Sequence, residues 1–406
     1  MLEVPETLTP ELEKWVVELR RWFHRHPEPS GEERRTQRKV IETLEELGIE
    51  NRAAGRTGVF GTVRGAQEGP CIALRSDMDA LRIAEAETEL NRDYRSETEG
   101  VSHACGHDGH MAMLLGAARW LQEHRVTLAG SVRLIFQPAE EAPPGGATAM
   151  IADGCLDGVD AAFGIHLVGH LDSGLIAFRP GPFMASPYTW TLTVRGKSGH
   201  HMDPKLCIDA LAFGARFVAE APAAVREALP EDARYVFGFG TFHSGRQYNQ
   251  TPDEAVVQGS FRVFEPAHAE AVLAAMDSTL ERLKREFGRD TIPGLPTFKV
   301  EIPDGYPVLR NDPAFTARAA EVLGRQFDRV DAESEASLGA EDFAEYIKRV
   351  PGLFAFLGVK NPAKGIDFVN HSDRFDIDEE MLGCGVRMHL AVASDFLADP
   401  ASWLGR

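Results

Sequence analysis

The chain has 406 residues, 43% of them hydrophobic, with 43 Lys and Arg against 62 Asp and Glu for a formal charge of −19. That length exceeds what one hydrophobic core usually supports, so two domains are expected. So acidic a chain lacks the basic footprint that nucleic acid or an anionic membrane would require. The opening MLEVPETLTP has neither the basic nor the apolar region of a signal peptide, and no apolar run reaches the ~18 uncharged residues of a bilayer span. Five scattered cysteines (Cys71, Cys105, Cys155, Cys207 and Cys384) suit a reducing compartment better than a disulfide framework. The expected location is the cytoplasm.

In chain order, ELEKWVVELRRWFHRHPEPSGEE reads as an amphipathic helix ended by Pro27 and Pro29, and RTQRKVIETLEELGIE as a second helix closed near Gly48. Short apolar runs then alternate with helical patterns: CIALRS, a helix through HMAMLLGAARWLQEH, SVRLIF and DAAFGIHL. This alternation predicts an α/β domain with a mostly parallel sheet. From about Ser186 the pattern changes. YTWTLTVRG alternates at period two, and it is followed by a helix in DALAFGARFVAEAPAAVREAL, strands in RYVFGFGTFHSG and EAVVQGSFRVF, a helix in EAVLAAMDSTLERLKREFG and a strand in TFKVEI. The order β-α-β-β-α-β is that of a ferredoxin-like α+β unit. Pro303 and Pro307 mark a return linker, and NDPAFTARAAEVLGRQF resumes a helix. The expected architecture is a metal-binding catalytic domain of residues 1–184 and 303–406, interrupted by an inserted lid and dimerisation domain of residues 185–302.

Ionisable residues crowd the predicted strand ends. IALRS leads to Asp77 and Asp79, VRLIFQPA to Glu140 and Glu141, AAFGI to His166, and LFAFLGV to a loop that reaches His371. The stretch SHACGHDGHMAM adds Cys105 and His107 just before a helix whose expected N-cap is Asp108. Each feature alone has an ordinary explanation, such as a solvated acidic turn for Glu140–Glu141 or a satisfied core histidine for His166. Open parallel sheets bind ligands beyond the carboxyl ends of their strands, so five such segments at one edge point to a site. One thiolate, three imidazoles and one carboxylate are enough donors for two borderline divalent ions with positions left open. Such ions make water nucleophilic near neutral pH, and a further carboxylate would carry its proton. GKSGH has neither the spacing of a serine-hydrolase elbow nor, with Thr at 191, that of a P-loop.

RRWFHRHPEPSGEE, TGVFGTVRG, ALRSDMDAL, HACGHDGH, LIFQPAEE, FGIHL, GKSGHH, TPDEAVVQGSFR, GAEDFA and HSDRFDID together resemble the metal-dependent amidohydrolases. These include hippurate hydrolase, N-acyl-amino-acid deacylases and the plant hydrolases of indole-acetyl amino acids, within the aminoacylase and carboxypeptidase group of metallopeptidases. The resemblance implies that Cys105, His107, Glu141, His166 and His371 are metal ligands, that Glu140 is the general base, and that Asp79 orients a metal-binding histidine. It further implies that His200 reaches a partner subunit's site and steadies the oxyanion, while Asn249 and Arg262 grip the substrate's α-carboxylate. Asp77 stands where other branches carry a histidine ligand.

The resemblance also implies two divalent ions, with zinc favoured by the Cys and His donors and manganese, cobalt or nickel as alternatives. The implied substrate is a small N-acyl amino acid, and the implied assembly is a homodimer through the inserted domain, with neither nucleic acid nor membrane as a partner. Departures from the family pattern at Arg82, Ser102, Thr251 and Asp373 remove no ligand and not the base. A metallo-carboxypeptidase or dipeptidase of the same group is the alternative, and a non-catalytic metal-dependent binding protein is a third reading.

Overall fold

The computed structural model of the chain describes residues 4–290, 292–302 and 305–405. It contains two compact units: Met1–Phe183 with Leu309–Ala336 and Glu341–Arg406, and Met184–Val308 with Ser337–Ala340. Pro303, expected in the return linker, lies outside the described residues.

The first unit is a mixed α/β layer structure around an eight-stranded sheet. In spatial order its strands are Glu50–Ala54, Gly58–Arg64, Ala129–Gln137, Gln67–Asp77, Ala161–Asp172, Gly352–Lys360, Ile176–Ala177 and Val330–Asp331. The four central strands run parallel, as the alternation in sequence predicts, whereas the first two strands add an antiparallel edge. A strand buried on both faces carries apolar residues throughout, and Gly352–Lys360 (GLFAFLGVK) is buried along all but its last residue.

Helix His107–Glu123 lies against this sheet and packs between helices Pro10–Arg25 and Glu380–Ala398. It is buried nearly all round, which explains the uniformly apolar MAMLLGAA that follows the histidines. Its N-cap is Gly106 and not Asp108, which sits in the first turn. Asp108 is drawn away from capping by Arg20, whose Nε donates to its carboxylate at 2.8 Å, and by His24 at 2.7 Å.

The second unit is an antiparallel sheet in the order Val236–Ser244, Glu254–Val263, Ser186–Arg195, Thr297–Glu301. Helices Ala210–Ala228 and Pro266–Phe287 pack on each other and on the sheet. Period-two alternation sends Trp190, Leu192 and Val194 into the core with Phe213, Phe217 and Phe261, and leaves Thr189, Thr191 and Thr193 on the other face. The short piece Ser337–Ala340 returns to this unit, bridging Met184 through Ser337, and nothing in its composition announces that.

Candidate metal centre

Gln67–Asp77 and Ala129–Gln137 end level with each other, whereas Ala161–Asp172 and Gly352–Lys360 run on past them, and the candidate residues gather beside that single step. Arg75 pairs with Gly164, so Asp77 at the end of its strand is level with His166. Ala161–Asp172 runs on to residue 172, which places His166 inside a strand and not at its end. Residues 138–146, just past Ala129–Gln137, carry Glu140 and Glu141.

Between Cys105 and His107 the chain turns on Gly106, whose φ of 89° is one that a side chain strongly disfavours. The helix therefore starts immediately after the turn, with Cys105 before it and His107 as its first residue. His371 is itself left-handed at φ 67°, a conformation that costs on the order of 1 kcal/mol away from glycine. Its N–H donates to Ala104 O at 2.7 Å. The neighbouring Asn370 ties the same region together. Its Nδ2 donates to Cys105 O and Leu167 O at 3.1 and 3.0 Å, and its Oδ1 accepts from Gly169 N at 2.8 Å.

These devices bring all five expected ligands together. Cys105, His107 and His166 have ligating atoms within 4.8 Å of one another, and so do Cys105, Glu141 and His371. Cys105 Sγ is 3.5 Å from His166 Nε2, and Glu141 Oε1 lies 3.1 Å from His371 Nε2 and 3.9 Å from His107 Nε2. Glu140 joins His107 and Glu141 in a third such group.

The donor set fits metal ions. His107 Nδ1 donates to Asp79 O at 2.9 Å, and His166 Nδ1 donates to Leu167 O at 2.8 Å, so each ring, with no proton on Nε2, would turn that lone pair to a metal. His107 Nε2 is buried with no hydrogen-bond partner among the described residues, an arrangement that costs free energy unless a cation or water completes it. The electrostatics agree. Burial opposes a charge on His107, yet Asp77, Asp79 and Glu141 together raise it to about 10, so the cavity favours a cation. Burial, Glu141 and Glu140 hold the Cys105 thiol well above its ordinary range, and a bound divalent ion would offset that field and release the thiolate.

The other sequence candidates are placed as follows. Asp79 accepts from Ser30 Oγ at 2.6 Å and from Glu141 N at 3.0 Å through Oδ2, while its Oδ1 is 3.4 Å from His107 Nδ1. Its backbone carbonyl is thus the nearer contact to the imidazole. Asp77 is fully engaged, accepting from His110 Nδ1 at 2.6 Å and from Arg75 Nη1 at 2.6 Å. His110, the third histidine of the crowded stretch, accepts from Leu167 N through Nε2 at 2.8 Å, which leaves neither nitrogen for a ligand.

In the second unit, His200 is exposed in a two-residue strand paired with Gln250–Thr251, so Asn249 lies beside it. Arg262 is near the far end of Glu254–Val263, on the order of 25 Å along the strand from Glu254, and donates to Leu338 O at 2.6 Å. Asn249 and Arg262 are therefore not adjacent within one chain, although the family resemblance implies that they act as a pair. Sequence reasoning also passed over Asn370, Arg75, Glu341 and Asp342. The only local signal for them is the acidic pair in GAEDFA and the asparagine before His371.

A model of peptidase family M20/M25/M40 matches residues 73–395. Thermostable carboxypeptidase 2 of Saccharolobus solfataricus is 36% identical over 395 residues, which cover 95% of this chain and 96% of that protein. N-acetyl-L-cysteine deacetylase of Bacillus subtilis is 35% identical over 369 residues, 91% of this chain and 85% of the relative. Among solved structures, the YXEP protein of Bacillus subtilis, described as a dinuclear metal binding peptidase from the M20 family, matches with a TM-score of 0.81 at 30% identity. That match covers 96% of this chain and 99% of the other.

Proposed function

The chain belongs to peptidase family M20/M25/M40, a family of metal-dependent amide and peptide hydrolases, and from that premise we propose that it cleaves N-acyl amino acids to a carboxylic acid and a free amino acid. The observation that carries the reading is the place of Glu140: a buried carboxylate grouped with His107 and Glu141, in a site where five other side chains already suffice as ligands.

Cys105, His107, Glu141, His166 and His371 would hold two divalent ions. Zinc comes first because thiolate and imidazole suit it, with manganese, cobalt or nickel as the alternatives. When bound, such ions polarise the amide carbonyl and make an attacking water more acidic. Glu140 accepts that water's proton and passes it to the departing nitrogen. Asp79 fixes the His107 ring through its carbonyl, with the carboxylate close behind.

The second unit, with its β-α-β-β-α-β order, serves as a ferredoxin-like lid and as the contact of a homodimer. His200 and Asn249, side by side, come from the partner subunit. His200 steadies the oxyanion, and Asn249 meets the carboxylate that Arg262 grips with its planar guanidinium. Among the described residues no helix is long and apolar enough to cross a membrane. The proposed substrate is a small N-acyl amino acid met in the cytoplasm.

The second reading is a carboxypeptidase, favoured by the 36% identity to thermostable carboxypeptidase 2. Both readings use the same ligands and base and differ in the acyl pocket. A panel of N-acetyl, N-benzoyl and dipeptide substrates on the metal-loaded protein separates them. Selective turnover of N-acyl amino acids supports the first reading, selective turnover of dipeptides replaces it with the second, and no turnover of any member contradicts both.

A further inference from the structure

Behind the glutamate pair, three segments distant in sequence meet in a buried charge cluster. Arg75 is fully enclosed: Nη1 donates to Asp77 Oδ2 at 2.6 Å, Nη2 to Glu341 Oε1 at 2.9 Å and Asp342 Oδ1 at 3.0 Å, and Nε to Gln137 Oε1 at 3.0 Å. Asp342 also accepts from Gln137 Nε2 at 2.8 Å and from Ala147 N at 3.0 Å. Gln137 and Ala147 flank residues 138–146, the segment that carries Glu140 and Glu141, so one carboxylate holds both of its ends.

Within the segment, Ala139 N donates to the buried Glu33 at 2.8 Å. Gly145, at φ 82°, has no Cβ, and a Cβ there would collide with Asp342 Oδ2. Glu140 belongs to two groups of ligating atoms within 4.8 Å, one with His107 and Glu141 and the other with Glu341 and Asp342. Its carboxyl group is therefore bounded by the ligand cluster and by the acidic pair.

One guanidinium among several buried carboxylates is a poor way to stabilise a core, because apolar residues of similar volume generally do as well or better. The crowding is severe enough that burial raises Glu341 to about 8 and Asp342 to about 6, with Arg75 opposing the rise in both. The cluster calls for a reason other than stability, and its geometry supplies one.

We propose that Glu341 and Asp342, anchored on Arg75, are positioning residues for Glu140: Asp342 pins both ends of its loop, and Glu341 sets the direction of its carboxyl group. This rests on the reading of Glu140 as the base. The near-isosteric variants Glu341→Gln and Asp342→Asn test it, measured on metal-loaded protein with the best substrate of the panel above.

The expected result is that kcat per metal-loaded chain falls at least about tenfold, as for a misaligned catalytic group, while KM stays within about twofold and metal content is unchanged. Independently of turnover, amide exchange at Ala147 should speed up at least about tenfold in Asp342→Asn, because the charged Arg75 claims the one remaining carbonyl oxygen and leaves the new NH2 facing that N–H. A merely structural role would lower thermal stability and yield but leave kcat per loaded chain within about twofold, and that result overturns the proposal. Should Asp342→Asn fail to fold, Glu341→Gln decides. Glu140→Gln run alongside separates the two claims: if it keeps its rate, the base reading falls and the proposal with it. If it is inactive while both positioning variants keep their rate, the proposal alone falls.

Discussion

Replacing His24 by glutamine should remove a component of stability that depends on pH. His24 is 1% exposed, with Nδ1 2.7 Å from Asp108 Oδ2 and Nε2 2.9 Å from Glu85 Oε1. Burial and the charge of Arg20 both oppose its protonation, yet Asp108 and Glu85 outweigh them and raise it from 6.5 to about 9. At about 1.4 kcal/mol per pH unit, that rise corresponds to about 3 kcal/mol of preferential proton binding by the folded state. Because the folded value is the higher one, the stabilisation is complete below about pH 6.5 and disappears as pH climbs through about 9. Urea unfolding of wild type and His24→Gln at about pH 6 and about pH 9.5 measures it, since groups common to both proteins cancel in the difference. The stability gap between the two proteins should shrink by about 3 kcal/mol at the higher pH. A gap of the same size at both pH values would refute the reasoning.

Three further outcomes are expected. Glu140→Gln should lose at least about 10²-fold in kcat with metal content near wild type, and a variant that keeps most of its rate would sink the assigned role. Cys105→Ala should bind less metal by elemental analysis, because Cys105 Sγ belongs to two of the candidate ligand groups, and unchanged stoichiometry would remove Cys105 from the candidate set. Arg20→Met should destabilise the fold by about 3–5 kcal/mol, since it strands the buried Asp108 and Asp376 that Arg20 meets at 2.8 Å each. A loss below about 1 kcal/mol in urea unfolding would show that those carboxylates find other partners.

The features legible in the sequence are those set by local periodicity. The amphipathic pattern of Pro10–Arg25, the apolar run of Gly352–Lys360 and the period-two strand Ser186–Arg195 carry their structure in their own residues. The candidate ligands are legible for a related reason: thiol, imidazole and carboxylate in segments that flank the predicted strands are chemically conspicuous.

What could not be read depends on partners distant in the chain. Asp108 looks like an N-cap until Arg20, 88 residues earlier, claims its carboxylate. Arg75 reads as one charge in an apolar strand, because Glu341 and Asp342 lie 266 and 267 residues away. His166 interrupts an apolar run and so reads as a strand end, whereas the parallel neighbour Gly352–Lys360 continues the pairing past it. The family resemblance implies that Asn249 and Arg262 act as a pair, but the length of strand between them separates them within one chain.

The central claim is that Cys105, His107, Glu141, His166 and His371 surround two cations beside Glu140. Anomalous diffraction at the zinc edge, from crystals of the protein grown with zinc, tests it most directly. The account predicts two peaks per chain, each in contact with side chains of this set, and Glu140 adjacent to both without replacing a ligand. A cavity without anomalous signal, its sulfur and imidazoles turned apart, would contradict it.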